Sequence, residues 1–285
     1  MITPDWRNFP PLEEHREMTI CIAAVCKALD GDPLIAICSD WQFSSALGSA
    51  EIGFKQYFLE HNWACLYAGD VSAAKTLLVP LKRHFKEVPT IDETNILSVV
   101  RAALNERKRD LVGEFVQGEF SLSHDEFFKY GKDKLPESKF RQAVDHISNI
   151  KLGTELIIAG FVEGVATIVE TDEKCGAVIR EHFSTIGEGR YLAHSVLLHR
   201  AHEDHNHLGT TLYQVFEAKR YAERVRSVGK QTSITVLAQD DPPRLVLNVG
   251  IKRLQALYDE YGPKEIKGEL AFEDDHFTDK GKGST

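Results

Sequence analysis

Two short apolar runs near the start of the chain, joined by a strong turn signal, constrain its fold more than any other feature. The runs occupy residues 19–25 and 34–39, and the sequence Asp-Gly-Asp-Pro lies between them at 30–33. Apolar runs of this length are typical of β-strands, and clustered Asp, Gly and Pro residues are typical of tight turns. The pattern therefore predicts a β-hairpin that begins at Thr19.

Strand-like and helical patterns alternate over the rest of the chain. Apolar runs predict strands at 63–68, 155–162, 165–170, 177–183 and 233–237. Apolar residues repeating at three and four positions predict helices at 71–88, with a kink at Pro80, and at 93–116, 191–202 and 210–226. This order predicts an α+β fold, a four-layer αββα sandwich of two antiparallel sheets flanked by helices.

The same patterns divide the chain into segments. Residues 1–17 form an extension rich in Pro and charged residues, and residues 18–240 form the main domain. Within that domain, residues 119–150 contain two short polar helical patterns, which we interpret as an insertion. Residues 241–285 contain a short strand, an amphipathic helix and, from Lys267, a polar tail that we expect to be disordered.

Composition excludes several classes of function. The formal net charge is −9 at pH 7, which argues against a general nucleic-acid binder because contacts to phosphates require a basic face. No apolar run approaches the ~20 residues that a membrane-spanning helix needs. Glu13 and Glu14 lie where a secretion signal would need an apolar stretch. We therefore expect a cytoplasmic protein with neither a nucleic-acid nor a membrane partner.

Residues that bind metals in other proteins are present, but their spacing does not indicate a metal site. A dense group of imidazoles and carboxylates lies at 199–207, yet Asn206 stands where a His-Glu-x-x-His motif needs its second histidine. We interpret this segment as a solvated loop and predict no cofactor. The chain has five cysteines, of which Cys21, Cys26, Cys38 and Cys65 are expected to be buried, reduced thiols and Cys175 to be more exposed.

Four residues at the ends of the early strands suggest a reaction. Thr19 opens the first strand, Asp40 closes the second, Lys55 begins the third stretch, and Gly69 precedes a helix. A threonine at an amino terminus is a nucleophile whose own α-amine acts as the base, and a glycine amide can bind an oxyanion. An N-terminal nucleophile hydrolase needs this combination of residue types.

The order of these motifs resembles the proteasome β-subunit family, especially the bacterial proteasome-like proteins whose chains begin Met-Thr. The motifs are Thr-Ile-Cys-Ile at 19–22, Ser-Asp at 39–40, Ala-Gly at 68–69, a central hairpin at 156–169 and Ile-Gly-Glu-Gly at 186–189. The resemblance covers roughly residues 18–239. It implies a threonine peptidase or amide hydrolase that acts on a peptide or amide substrate and assembles as a homo-oligomer.

The resemblance also implies a role for each candidate residue. Thr19 would attack the carbonyl through its Oγ, and Lys55 would lower the pKa of the Thr19 amine. Asp40 would hold Lys55 in place, and the Gly69 N–H would bind the oxyanion. Tyr67 would line the pocket that receives the substrate side chain next to the cleaved bond.

Three departures from the family pattern leave other functions open. Met18 precedes Thr19, so a free amine requires a chain that begins at Thr19, as it would after translation from Met18 and removal of that methionine. Glu188 replaces a serine of the family, and Arg224 replaces an aspartate, although Ser227 is retained. The alternatives are a catalytically silent scaffold subunit and a small-molecule amidohydrolase on the same fold.

Overall fold

The computed structural model describes residues 19–45, 48–51 and 55–263. The predicted extension at 1–17 and the predicted disordered tail from Lys267 lie outside the described residues. The described chain begins with β1 (Ile20–Lys27), β2 (Pro33–Asp40), β3 (Gln42–Ser45), β4 (Gly48–Glu51), β5 (Gln56–Phe58) and β6 (Ala64–Gly69). Four helices follow: α1 (Val71–Glu87), α2 (Ile96–Phe120), α3 (His124–Lys134) and α4 (Glu137–Ser148).

The second half of the chain returns to strands before its last helices. Its strands are β7 (Thr154–Val162), β8 (Val165–Thr171), β9 (Ala177–Arg180) and β10 (Phe183–Gly187), followed later by β11 (Thr232–Ala238) and β12 (Arg244–Leu245). Its helices are α5 (Arg190–His199), α6 (Leu208–Ala222) and α7 (Asn248–Tyr261). Within the described residues, no helix is both long enough and apolar enough to cross a bilayer.

The strands form two five-stranded antiparallel sheets. The first has the order β10-β1-β2-β11-β12, the second has the order β5-β6-β7-β8-β9, and β3 pairs with β4 in a separate hairpin. In β1, all residues except Lys27 are buried. Since successive side chains of a strand point to opposite faces, both faces of the first sheet must be covered at this strand. The predicted hairpin of β1 and β2 is confirmed.

Three apolar layers cover these faces. Cys21 and Ile37 of the first sheet pack between the sheets against Leu66 and Ile157 of the second. On its other face, the first sheet packs against α5, α6 and α7. The second sheet packs on its outer face against α1 and α2. The four-layer αββα sandwich predicted from the sequence is therefore confirmed.

One predicted strand is wrong. The pattern at 177–183 indicated a single strand, but the structure divides this region into β9 and β10, which belong to different sheets. Arg180 pairs with Ile168 of the second sheet, whereas Phe183 pairs with Ala24 of the first. The chain passes from one sheet to the other within two residues. This places β10 beside β1, at the edge of the first sheet.

The predicted insertion at 119–150 contains α3 and α4, which share a small core with the second half of α2. The second half of α2 packs with α3 and α4 around Val112, Val116, Phe127 and Ala143. Ser123 begins α3 with a capping box, in which its side chain accepts from the N–H of Glu126 and its own N–H donates to the Glu126 carboxylate. The last turn of α4 reaches the edge of the cleft described below.

Residues beyond 240 complete the first sheet and its helical layer. β12 pairs with β11, and Leu254 of α7 packs into the core beneath α5 and α6. Of the five cysteines, Cys21, Cys26, Cys38 and Cys65 are buried and Cys175 is partly exposed, and all five are free thiols.

Candidate active site

Thr19, Asp40 and Lys55 meet at one end of the sandwich. The hydroxyl of Thr19 donates to Asp40 Oδ1, and the ammonium of Lys55 donates to both Thr19 Oγ1 and Asp40 Oδ1, the latter at 2.9 Å. Thr19 is 2% exposed, Asp40 is 0% exposed and Lys55 is 3% exposed. Residues separated by up to 36 positions in the sequence thus form one hydrogen-bonded cluster beneath the surface.

Asp40 is the centre of this cluster. Besides the Thr19 hydroxyl and the Lys55 ammonium, its carboxylate accepts from the backbone N–H of Ile20 at 3.3 Å and from that of Gly229 at 2.8 Å. A buried carboxylate is costly unless charge-bearing and hydrogen-bonding partners surround it. The four donors provide that compensation, and they also fix the orientation of the Asp40 side chain.

Strand register explains why these residues meet. Cys21 pairs with Ser39, so Thr19 lies beside the end of β2, where Asp40 is the last residue. On the other side of β1, Ile20 pairs with Gly187 of β10. A Cβ on Gly187 would lie 2.3 Å from the carbonyl oxygen of Thr19, so only glycine allows β10 to approach Thr19 this closely.

Gly69 is positioned to present its amide away from β7. Gly69 is opposite Thr154, and the N–H of Asp70 donates to Gly153 O at 2.9 Å. In an antiparallel ladder, that bond makes Gly69 and Thr154 a non-hydrogen-bonded pair. The Gly69 N–H therefore points to the β5 side of β6, where Lys55 directly precedes β5. Its φ of +110° and a Cβ position 2.5 Å from Gly153 O both require glycine.

Tyr67 does not reach this site. Its side chain is 1% exposed and packs in the apolar core between the second sheet and α1, with its ring centroid 5.8 Å from that of Tyr57. Side chains alternate along β6, so Tyr67 shares a face with Cys65 and faces the helical layer. Its position therefore supports a role in the core rather than contact with substrate.

A cleft of about 990 Å³ opens beside the cluster. Its lining includes Gly69 and Asp70 at the end of β6 and Gly187 and Glu188 at the end of β10. The other lining residues are Ala68 of β6 and residues from the end of α4, the α4–β7 connection, the start of β7, the β8–β9 turn and the start of α5: His146, Asn149, Ile150, Lys151, Gly153, Glu155, Glu173, Arg190 and Tyr191. The last turn of α4, in the predicted insertion, thus contributes to the cleft through His146.

Two ion pairs in the cleft were not anticipated from the sequence. Glu155 accepts from Arg190 at 2.6 Å and from the N–H of Gly187 at 3.2 Å. Lys151 lies 3.2 Å from the carboxylate of Glu173. Partners separated by 35 residues, as Glu155 and Arg190 are, share no local pattern, so a single sequence offered no signal for them.

Glu188 and Arg224, the two departures noted in the sequence, occupy different environments. Ser227 Oγ donates to Glu188 Oε2 at 3.2 Å, at the edge of the cleft. Arg224 is exposed and stacks on the ring of Tyr221, with 4.1 Å between the guanidinium carbon and the ring centroid. The glutamate therefore belongs to the cleft, whereas the arginine lies outside it.

Neither the thiols nor the histidine-rich segment adds an alternative reactive centre. Burial raises the pKa of Cys21 well above its usual value and that of Cys38 to about 12, so both thiols are protonated and poorly nucleophilic at neutral pH. His202 is not in a solvated loop as predicted, because it is 4% exposed and lies 3.0 Å from Val25 O. Among the described residues, no group of three or more His, Cys, Asp or Glu side chains could hold a metal ion.

Comparison with known structures identifies the class of fold. The chain has the αββα sandwich fold of N-terminal nucleophile hydrolases. Anbu (ancestral beta-subunit) from Yersinia bercovieri matches with a TM-score of 0.56 at 11% identity, over 86% of this chain and 94% of that one. A Gly-1 mutant of Anbu from Hyphomicrobium sp. strain MC1 matches with a TM-score of 0.53 at 13% identity, over 88% and 100%. No family model and no curated protein sequence matches the chain.

Proposed function

We propose that the protein is an N-terminal threonine hydrolase that cleaves peptide or other amide bonds and assembles with copies of itself. The observation that carries the proposal is the contact of the Thr19 hydroxyl with both Lys55 and Asp40 beside a cleft. A threonine that only opened a strand would need neither a buried ammonium nor a buried carboxylate on its hydroxyl.

In the proposed mechanism, the catalytic species begins at Thr19. Its Oγ attacks the carbonyl carbon of the amide, and the proton passes from Oγ to the α-amine. An α-amine has a pKa of about 7.7–8.0, and a neighbouring ammonium lowers it, so Lys55 favours the neutral amine that can accept the proton. Asp40 holds Lys55 against Oγ through the 2.9 Å ion pair.

The remaining steps need a donor for the oxyanion and a second use of the amine. The tetrahedral oxyanion would accept from the Gly69 N–H, which points away from β7. Collapse of the intermediate breaks the carbon–nitrogen bond, and the Thr19 ammonium protonates the departing amine. Water, deprotonated by the same amine, then attacks the carbonyl carbon of the ester; the carbon–Oγ bond breaks, the amine returns the proton to Oγ, and the acid leaves.

Self-assembly is part of the proposal. The Yersinia relative is named as a beta-subunit, which supports assembly of a chain that shares its fold. A hydrolase enclosed in an assembly would reach only substrates that enter it, whereas a small-molecule amidohydrolase could work as a free protomer. Size-exclusion chromatography with light scattering separates these two forms.

The competing function is a catalytically silent subunit. It is favoured by one observation, the position of Arg224 outside the site, where the family has an aspartate. The silent subunit and the hydrolase differ in whether Thr19 becomes the first residue and whether its hydroxyl reacts.

The deciding experiment measures the amino terminus and the reactivity of the protein expressed from its native gene. Intact mass and N-terminal sequencing show where the mature chain begins. Incubation with a peptide electrophile that reacts with the hydroxyl of an N-terminal threonine then adds one mass increment to Thr19. A mature chain that retains residues before Thr19 and takes up no label would support the silent subunit instead.

A further inference from the structure

Lys219 of α6 is a buried lysine that the proposed mechanism does not use. Its side chain is 0% exposed. The ammonium donates to the carboxylate of Glu223 and, at 2.7 Å, to the carbonyl oxygen of Lys230. Burial lowers the pKa of Lys219, opposed by the nearby charge of Glu223. Because burying a charged group costs free energy, we expect the Lys219 ammonium to have a function.

The Lys230 contact fixes the segment that links α6 to β11, residues 223–231, which we call the anchor loop. This loop donates two hydrogen bonds to residues of the site and the cleft. The N–H of Gly229, the residue before Lys230, donates to Asp40 Oδ2 at 2.8 Å, and Ser227 Oγ donates to Glu188 at 3.2 Å. One buried ammonium thus holds the loop next to the amide that binds Asp40.

Lys219 also lies on the same side of the first sheet as Asp40. Cys38 belongs to the core formed with α5, α6 and α7, and side chains two positions apart on a strand share a face. Asp40 therefore faces α6, the helix that carries Lys219. Its carboxylate has Lys55 on Oδ1 and the Gly229 amide on Oδ2.

We propose that Lys219 is a positioning residue for the nucleophile. By bonding the carbonyl of Lys230, it holds the Gly229 amide on Asp40 Oδ2, and this amide keeps Oδ1 directed at Thr19 and Lys55. The link to catalysis rests on the proposed hydrolase function, whereas the link to the anchor loop does not. The neighbouring Arg220 provides a comparison, because it also binds Glu223 but has no bond to the loop carbonyl among its described contacts.

A buried lysine at this position costs more than an apolar side chain would, so its presence requires an explanation. A buried ion pair can often be replaced by apolar side chains of similar volume without loss of stability. Methionine has nearly the length of lysine and suits a protein interior. In Lys219→Met, Glu223 keeps Arg220 as its partner, so the substitution leaves no carboxylate unpaired and removes chiefly the bond to Lys230.

The test compares Lys219→Met with Arg220→Met in the full chain, using two readouts. Hydrogen exchange measured by mass spectrometry should show faster exchange in peptides covering 223–231 for Lys219→Met, by about 10- to 100-fold for the loss of a bond from a charged donor. Hydrolysis of a fluorogenic peptide should lose a similar factor in kcat, with KM unchanged. Arg220→Met should leave both readouts near wild type.

Two results would overturn the proposal. One is wild-type exchange in the anchor loop of Lys219→Met, and the other is faster exchange spread evenly over the whole protein, which would indicate a general structural role. If the wild-type protein hydrolyses no peptide, the proposed function fails, while the exchange data still decide the role of Lys219 in the loop. If Lys219→Met does not fold, Lys219→Gln, which is polar but lacks the charge, undergoes the same comparison.

Discussion

The two ends of the sandwich each carry a cleft, and they differ in the charges that are buried beside the cleft. The cleft beside Thr19 measures about 990 Å³, and the cleft at the opposite end, beside the β1–β2 turn, about 690 Å³. Asp40 and Lys55 are buried next to the first. The charged residues lining the second are all exposed: Lys27, Glu93, Arg180, Glu181 and Asp204.

Burial of charge, and not cleft size, therefore distinguishes the candidate site. An exposed charge keeps its hydration and contributes little to stability whether or not it is paired. A buried charge must be compensated by several partners, as Asp40 is by its four donors. Matched substitutions at the two ends should therefore differ most where they remove a reacting or buried group.

Replacing the nucleophile should have the largest effect on activity. We expect Thr19→Ala to abolish peptide hydrolysis, a loss of at least about 1,000-fold, because no other group can supply the attacking oxygen. Thr167→Ala, which removes a hydroxyl that lines the second cleft, should leave the rate unchanged. Steady-state hydrolysis measures both. Full activity of Thr19→Ala would refute the mechanism.

Removing the buried ammonium of Lys55 should have the largest effect on the free energy of unfolding. In Lys55→Met, Asp40 loses its charged partner while remaining buried, so we expect a loss of about 3–5 kcal/mol in the free energy of unfolding. Lys27→Met removes an exposed lysine at the other end and should change it by no more than about 0.5 kcal/mol. Urea unfolding followed by fluorescence gives both values. Equal losses of unfolding free energy in the two variants would show that burial of the lysine does not decide its contribution to stability.

Two glycines with positive φ test the same contrast in the backbone. Gly69 and Gly31 have φ values of +110° and +98°, but a Cβ would meet Gly153 O at 2.5 Å in the first case and nothing within 4 Å in the second. Backbone strain costs about 1–3 kcal/mol at either position. We expect Gly69→Ala to cost more than Gly31→Ala in urea unfolding, and only Gly69→Ala to reduce hydrolysis, because it displaces the proposed oxyanion donor.

The smallest effect concerns His202, which is buried near the second cleft and contacts Val25 O. Burial lowers the pKa of His202, so the unfolded chain binds a proton at a higher pH than the folded protein does. Its contribution to stability is therefore present above pH ~6.5 and is lost as the pH falls below that value. We expect His202→Gln to reduce the acid sensitivity of the melting temperature.

The matched control for that prediction is His205, whose side chain is 65% exposed. His205→Gln removes an exposed imidazole in place of a buried one, so comparing the two variants isolates the effect of burial. Thermal unfolding between pH 5 and 8, the range in which unperturbed histidines titrate, checks both variants. Identical pH dependence of wild type and His202→Gln would show that His202 does not titrate differently on folding.

Much of the fold was predictable because its central strands are long and apolar. β1, β2, β7 and β8 lie where the patterns placed them, and in β1, β2 and β7 burial on both faces accounts for the nearly continuous apolar runs. The short β5 was missed because three residues carry too little periodicity to be recognised. The split between β9 and β10 was missed because the apolar pattern does not record the sheet to which a strand belongs.

The candidate site was predictable to a smaller extent. The order of Thr19, Asp40 and Lys55 along the chain indicated a cluster, and the structure brings their side chains into contact. Tyr67, also named from the family pattern, lies in the core instead. The sequence did not predict the ion pair of Glu155 with Arg190 or the hydrogen bond from the Lys219 ammonium to the carbonyl oxygen of Lys230.

Local sequence was enough to predict the central strands, the turn between β1 and β2 and the residue types available for chemistry, because hydrophobic periodicity and turn composition act over a few neighbouring positions. The folded structure was needed to show which charges are buried, which face of β6 Tyr67 occupies, and how α4, α6 and the anchor loop surround the site. Those outcomes depend on sheet register and on packing between elements far apart in the chain, where a shift of one residue reverses every side chain of a strand.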